Sequence, residues 1–216
     1  MLKILKKPVI SFLRMLDIYS LYSLKSGGPL KDDGWFKSFK EESSIDANGN
    51  PLPWMTYPAI DFLNKKITGQ MSIFEYGCGY STLWWATRTK EVIAVEHNRA
   101  WYEKMKMLTP ENATINYIPL EYGGQYSRKV SEFCNKFDII VIDGRDRVNC
   151  AINSLAAIKD NGVIIWDNSE RKEYEEGIKF LHDHGYRRIE FIGMCPIVNY
   201  KSETSLFYKS NNVLGI

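Results

Sequence analysis

Apolar and polar positions change rhythm repeatedly along this chain, and each change marks an element. From Ser72 to Asn98 the sequence reads SIFEYGCGYSTLWWATRTKEVIAVEHN. A short apolar run, Ile73-Phe74, stops at the acid Glu75. Gly77 and Gly79 follow, Ser81 and Thr82 open a run through Trp84, Trp85 and Ala86, and Val92-Ile93-Ala94-Val95 stops at Glu96. The pattern predicts strand, glycine turn, helix, strand. Beyond it, 100–108 predicts a helix, 113–119 a strand and 122–135 a looser segment containing Gly123-Gly124. Phe137 to Asp143 is a continuous apolar run ending in an acid, as a strand buried on both faces requires. Residues 148–159 predict a helix, Asn161-Gly162 a turn, Val163 to Trp166 another buried strand ending in Asp167-Asn168, and 170–184 a helix stopped by Gly185. Alternating strands and helices predict an α/β protein with a mostly parallel sheet and helices on both faces. Two last strands, 186–192 and 205–209, leave no room for a helix between them, which predicts one antiparallel closing strand.

Upstream the rhythm is different. Residues 1–24 begin basic and become apolar, with Ser11, Arg14, Asp17, Ser20 and Ser23 at every third position. A period of three drifts around a 3.6-residue helix, so no single clean apolar face results. Pro8 suits a first helical turn. The uncharged run is too short to span a bilayer, and no small-residue cleavage site follows. Residues 26–50 read as a loop or linker carrying Trp35, Phe36 and Phe39; Pro51 to Pro58 reads as a stiff extended piece leading into a helix over 59–66. This divides the chain into an N-terminal helical arm or lid, 1–50, and a main domain, 51–216. Trp54 and Tyr57 are expected as walls of the pocket or as plain packing.

Composition narrows the class. The 216 residues are 44% hydrophobic and 25% charged, with net charge +2, so no global field argues for nucleic acid. The charge is unevenly spread: residues 1–40 hold eight Lys/Arg against three Asp/Glu. The segment 1–24 is read either as a peripheral membrane contact or dimer arm, with Lys3, Lys6 and Lys7 meeting anionic headgroups, or as a helix packed over the domain or capping its cofactor site. Cys78, Cys134, Cys150 and Cys195 form no CxxC pair, which predicts reduced thiols and a cytoplasmic location.

The glycine turn and its two acids carry the chemistry. Glycines allow close approach of backbone to a nucleotide-like ligand, N–H groups at a helix start face it, and an acid at the next strand tip can take a ribose diol. Glu96 lies seventeen residues after Gly79, near the spacing a ribose acid needs. Four predicted strands end in acids, at Glu75, Glu96, Asp143 and Asp167, and ligands of open α/β sheets bind at those ends.

Glu75-x-Gly77-x-Gly79-x-Ser81 with Glu96 resembles the first two motifs of the class I S-adenosylmethionine (SAM) dependent methyltransferases. A Rossmann dehydrogenase would carry a third glycine where this chain has Thr82. The resemblance, over roughly 52–209, implies a Rossmann-like sheet and SAM held by Glu75, Gly77, Cys78, Gly79, Ser81, Glu96, His97 and Asp143. It places Glu75 toward the methionine amino group, Glu96 at the ribose and His97 near the adenine. Asp143 and Asp167-Asn168 are also similar to the cation site of metal-dependent catechol and caffeoyl-CoA type O-methyltransferases, which implies Mg²⁺ or another divalent cation at these three residues. That family's lysine, three residues beyond the first Asp, is Asp146 here. The alternative is that Asp143 touches the cofactor amine and Asp167-Asn168 caps the next helix. Asp143 and Asp167 are the candidate catalytic residues. Arg145, Arg147, Arg171 and Lys172 ring the same face, Arg145 and Arg171 being the candidate anchors for an acceptor's phosphate or carboxylate; the alternative is that these cations are solvated or paired with Asp146, Glu170 and Glu173. The function implied is methyl transfer to a hydroxyl of a small-molecule or saccharide acceptor. A catalytically silent scaffold that docks through its basic arm is the alternative, and a nicotinamide oxidoreductase is disfavoured by Thr82.

Overall fold

The computed structural model describes residues 7–216. Seven strands form one sheet: β1 (Ser72–Tyr76), β2 (Glu91–Glu96), β3 (Ala113–Tyr117), β4 (Phe137–Ile142), β5 (Ile158–Asp167), β6 (Arg187–Met194) and β7 (Lys201–Tyr208). Their order is β3-β2-β1-β4-β5-β7-β6, parallel from β3 to β5, with β7 antiparallel to both of its neighbours. The chain reverses direction across the sheet between β1 and β4, and this is where such sheets open a ligand crevice.

Alternating side chains of the same strands fill two cores. Phe74, Tyr76, Ile140, Ile142 and Trp166 pack on one face, and Ile73, Val141, Ile165, Leu206 and Trp85 on the other. Every residue of β4 is buried: Ile139 to Ile142 form its apolar run, and Asp138 accepts from the Ser72 N–H and from Lys159 Nζ, each at 2.8 Å. Helices α5 (Tyr57–Lys66), α6 (Tyr80–Ala86), α7 (Arg99–Lys106), α8 (Gln125–Arg128), α9 (Arg147–Ser154) and α10 (Glu175–Asp183) accompany the sheet, preceded by α1 (Lys7–Met15), α2 (Tyr19–Ser26), α3 (Pro29–Asp32) and α4 (Trp35–Glu41). Numbering is in chain order.

Three expectations are corrected. The helix predicted to reach 159 ends at Ser154, because Ile158 pairs with Phe137 and already belongs to β5. Asn161-Gly162 is then an irregularity within a long strand, where a side chain at 162 would strike Ile158 at 2.5 Å. Residues 26–50 are not a plain linker. Gly34 (φ +83) opens α4 and leaves no room for a side chain against Ala47, while Trp35 stacks with Phe36 and Phe39 and donates from Nε1 to the Val198 carbonyl at 2.7 Å. The aromatic residues that read as unplaced in the sequence are what fasten this segment to the far end of the sheet. Tyr57 is a core residue, discussed below. Lys3 and Lys6 lie outside the described residues.

Candidate active site

At the carboxyl ends of β1, β2, β4 and β5 lies a cavity of about 590 Å³. Glu75, Gly77, Cys78, Gly79, Ser81, Glu96, His97, Asp143, Asp167 and Asn168 all line it, as do Trp54, Arg145 and Arg171. Residues dispersed over more than a hundred positions thus share one chamber.

The turn after β1 is built by polar contacts. Glu75 is buried, and its carboxylate accepts from Thr82 Oγ1 at 2.5 Å and Trp85 Nε1 at 3.1 Å. The Thr82 hydroxyl in turn accepts from the Gly79 N–H at 3.0 Å. Thr82 is therefore a relay between the turn and the acid, which explains why a glycine would not serve there. Burial pushes the Glu75 carboxyl up to about 7, against the lowering effect of bonds from Ser81, Thr82 and Trp85 and with a smaller upward push from Glu96.

Gly77 has φ +91, and a side chain there would press on Gly144 and the Asp143 carbonyl. Gly79 is extended, and an added side chain would meet only Trp101 and Ser81 at ordinary contact distance. Nothing in the protein demands glycine at 79; what its absence of a side chain leaves clear is the cavity. Glu96 is also buried, and backbone donors surround it. Its Oε2 accepts from the Cys78 N–H at 3.1 Å, and its Oε1 from the N–H groups of His97 and Asn98 at 2.8 and 2.7 Å. His97 Nδ1 is 3.0 Å from Glu96 Oε1 but is not aligned for a hydrogen bond and has no other partner, so proximity rather than bonding relates the two. The Cys78 thiol is pushed up by burial and then by Glu96 and Glu75, so it stays protonated and unreactive. Sequence reasoning missed Trp101. Its Nε1 donates to the Cys78 carbonyl at 2.6 Å and its ring walls the cavity; in the sequence it is one aromatic on a surface helix.

The other end of the chamber is ionic. Arg147, the first residue of α9, is buried; it donates from Nε to the Gly144 carbonyl at 3.0 Å and from Nη1 to the Asp167 carbonyl. From Nη2 it reaches the Asp143 carbonyl and Oδ1 at 3.2 and 3.3 Å. One guanidinium thus ties the ends of β4 and β5 together. Asp143 keeps 22% of its side chain exposed where it lines the cavity, yet desolvation outweighs Arg147 and lifts its carboxyl to about 7. Asp167 is buried and accepts from Thr204 Oγ1 at 2.7 Å; burial, then neighbouring Asp143, pushes it well above the usual carboxylate range. Thr204 Oγ1 also accepts from the Thr56 N–H at 3.1 Å.

Asp143, Asp167 and Asn168, the three residues expected to share a cation, line the same cavity. Among the described residues no group of three or more His, Cys, Asp and Glu side chains is placed to hold a metal. Besides Asp167, bonded to Thr204, the other two expected ligands also have protein partners. Arg147 already occupies Asp143, and Asn168 directs its Oδ1 to Arg171 and its Nδ2 to Ser202. Asp146 stands where the metal-dependent enzymes have lysine. It is buried, accepts from the Gly123 N–H at 2.8 Å and from Asn149 at 2.7 Å, and so anchors the Gly123-Gly124 turn. Asp146 and Asn168 both adopt φ +52, a left-handed geometry that these residue types enter more readily than most. Tyr57 is likewise not a pocket wall: its ring is buried in the core and its hydroxyl has no partner. Trp54, Arg145 and Arg171 do face the cavity, all three exposed at its rim.

No sequence-family profile and no curated protein matches the chain. Solved structures do. A precorrin-6y C5,15-methyltransferase from Geobacter metallireducens GS-15 superposes with a TM-score of 0.55 at 14% identity, over 80% of this chain and 96% of its own. A spermidine synthase in complex with the transition-state analogue AdoDATO gives 0.55 at 14%, over 68% of this chain and 58% of that one, so the match spans well under two thirds of the synthase. A Streptococcus mutans protein assigned to the methyltransferases, solved in complex with SAH, gives 0.50 at 9%, over 68% and 94%. Sheet order and these likenesses define a Rossmann-like class I methyltransferase fold.

Proposed function

We propose that the protein is a SAM-dependent methyltransferase acting on a hydroxyl of a small-molecule or saccharide acceptor. The observation that carries this reading is one cavity lined by both pairs of acids: Glu75 and Glu96 around the glycine turn, Asp143 and Asp167 beyond it. The cofactor residues fit. Gly79 leaves backbone open to a ligand, and Glu75 has only neutral donors around it, so a cation placed there would be attracted without competition. Glu96 keeps one lone pair, on Oε2, beyond its three amide bonds, suited to a ribose hydroxyl.

SAM would supply an already activated methyl group. The chain's own part is to align and to take a proton. Asp143 and Asp167 lie next to each other at the ends of adjacent strands; burial lifts Asp143 to about 7 and Asp167 well above the usual carboxylate range. Asp143, which lines the cavity with part of its side chain exposed, suits a general base for an acceptor hydroxyl. Arg145 and Arg171 are available to hold a phosphate or carboxylate of the acceptor, and Trp54 to cover an apolar or sugar face. The buried Ser44 hydroxyl, which lines the cavity without a partner, is a further donor for a bound molecule. The donor set gives no role to a divalent cation in this reading.

Calorimetric titration with SAM, S-adenosylhomocysteine and NAD tests it. Binding of the two sulfur compounds and not of NAD, lost in Glu96→Ala, is the expected result. Absence of binding by either sulfur compound would sink the reading and favour the scaffold alternative.

A further inference from the structure

We infer that the N-terminal arm docks the protein on the surface of an anionic lipid bilayer, a role independent of the methyl-transfer reading. Helices α1 and α2 together cover most of residues 7–26, and neither contains a buried residue. Their large side chains stand in solvent: Phe12 is 56% exposed, Met15 73% and Leu21 64%, with Val9, Leu16 and Leu24 also exposed. So dense a set of uncovered apolar side chains within one short segment needs an occupant.

Charge identifies the occupant. Lys7, Arg14, Lys25 and Lys31 are all exposed and interleave with the apolar side chains, against the single acid Asp17 up to residue 31. A second copy of the arm would bring the same cations together across a two-fold interface, and like charges oppose that. The three-residue spacing read in the sequence does not scatter the faces of α1: Lys7, Ser11 and Arg14 fall on one side of it and Val9, Phe12 and Leu13 on the other, the two-faced arrangement of a helix that lies in a lipid interface. Anionic headgroups instead meet the cations while the acyl boundary takes the apolar groups. The geometry is that of an element lying on the membrane. Asp17, at φ +55, breaks the arm into two short helices, and no helix of the described residues is long and apolar enough to cross a bilayer. The arm runs by way of α3 into α4, whose Trp35 and Ser38 bond to residues 197–198 at the cavity wall, so docking tethers the cavity mouth to the lipid surface.

Sedimentation of the full chain with phosphatidylcholine vesicles, with and without phosphatidylglycerol, tests this. The protein is expected to pellet only with the anionic vesicles, and raised salt is expected to release it. Each cation neutralised, as in Lys7→Gln or Lys25→Gln, is expected to weaken partitioning by about fivefold. Phe12→Asp with Leu21→Asp is expected to abolish it while leaving the cofactor titration unchanged, since neither residue lines the cavity. Equal sedimentation with both vesicles, or with neither, overturns the inference. So does a concentration-dependent dimer in light scattering that Phe12→Asp dissolves, which would assign the face to a second copy.

Discussion

The two ends of the cavity hold buried acids in opposite ways. Around Glu75 and Glu96 every hydrogen-bonding donor is neutral: a hydroxyl, an indole and three backbone amides. Around Asp143 and Asp167 a guanidinium is built into the wall and bonds to both strand ends. Neutral donors orient a carboxylate without cancelling its charge, so the first end remains a place for a cationic ligand. The guanidinium cancels charge on the protein's own account, so the second end has little use for an added cation. The same residue type at four strand tips therefore does two jobs, and the neighbours decide which.

The sharpest way to break the ionic end is Arg147→Ala. It strands Asp143 and three carbonyl bonds in a buried site and is expected to cost about 3–5 kcal/mol, lowering Tm by roughly 10 °C in thermal unfolding. At the neutral end, Glu96→Ala removes the acceptor for three amides and is expected to weaken SAM binding by at least about 100-fold in calorimetry, with a smaller loss of stability.

A pH series separates the ends more finely. Glu75 and Asp143 both titrate near 7 in the fold and lower in the unfolded chain, so the native state binds the extra protons between those values. Stability of the free protein is expected to fall as pH rises through that window, and affinity for a cationic cofactor to rise through 7 as those protons are released. In Glu75→Gln the affinity should lose most of this rise, measured as proton release in two buffers of different ionisation heat. Thr82→Val, which deletes the relay hydroxyl, is expected to cost about 1–2 kcal/mol and to move the midpoint of the affinity curve upward. Tyr57→Phe should change stability by less than about 0.5 kcal/mol and cofactor affinity not at all, because its hydroxyl bonds to nothing.

The sequence revealed the frame better than the clasp. Periodicity located the central strands, the glycine turn and the four acids, because each is a local pattern of apolar run followed by polar stop. The clasping role of Arg147 was hidden for the opposite reason. In the sequence this arginine is one of several cations near Asp146 and Glu170, and only the meeting of β4 with β5 buries it. Gly144 was equally silent, although a side chain there would lie 1.9 Å from the Tyr126 hydroxyl, a residue eighteen positions away. Spacing shows the two acids that resemble a metal-binding family but not the arginine that bonds the Asp143 carboxylate and the Asp167 carbonyl. Helix 148–159 was extended too far because Asn161-Gly162, a turn by local chemistry, sits inside a strand held by its neighbour.

Thr204 joins two distant parts of the chain. Its hydroxyl receives the Thr56 N–H on one side and gives its own proton to Asp167 on the other. The stretch ahead of α5 and the acid at the end of β5 therefore share one hydrogen atom's orientation, and a carboxyl that loses such a donor holds its proton more tightly. The carboxyl stretching band of Asp167 in Thr204→Val would record that loss.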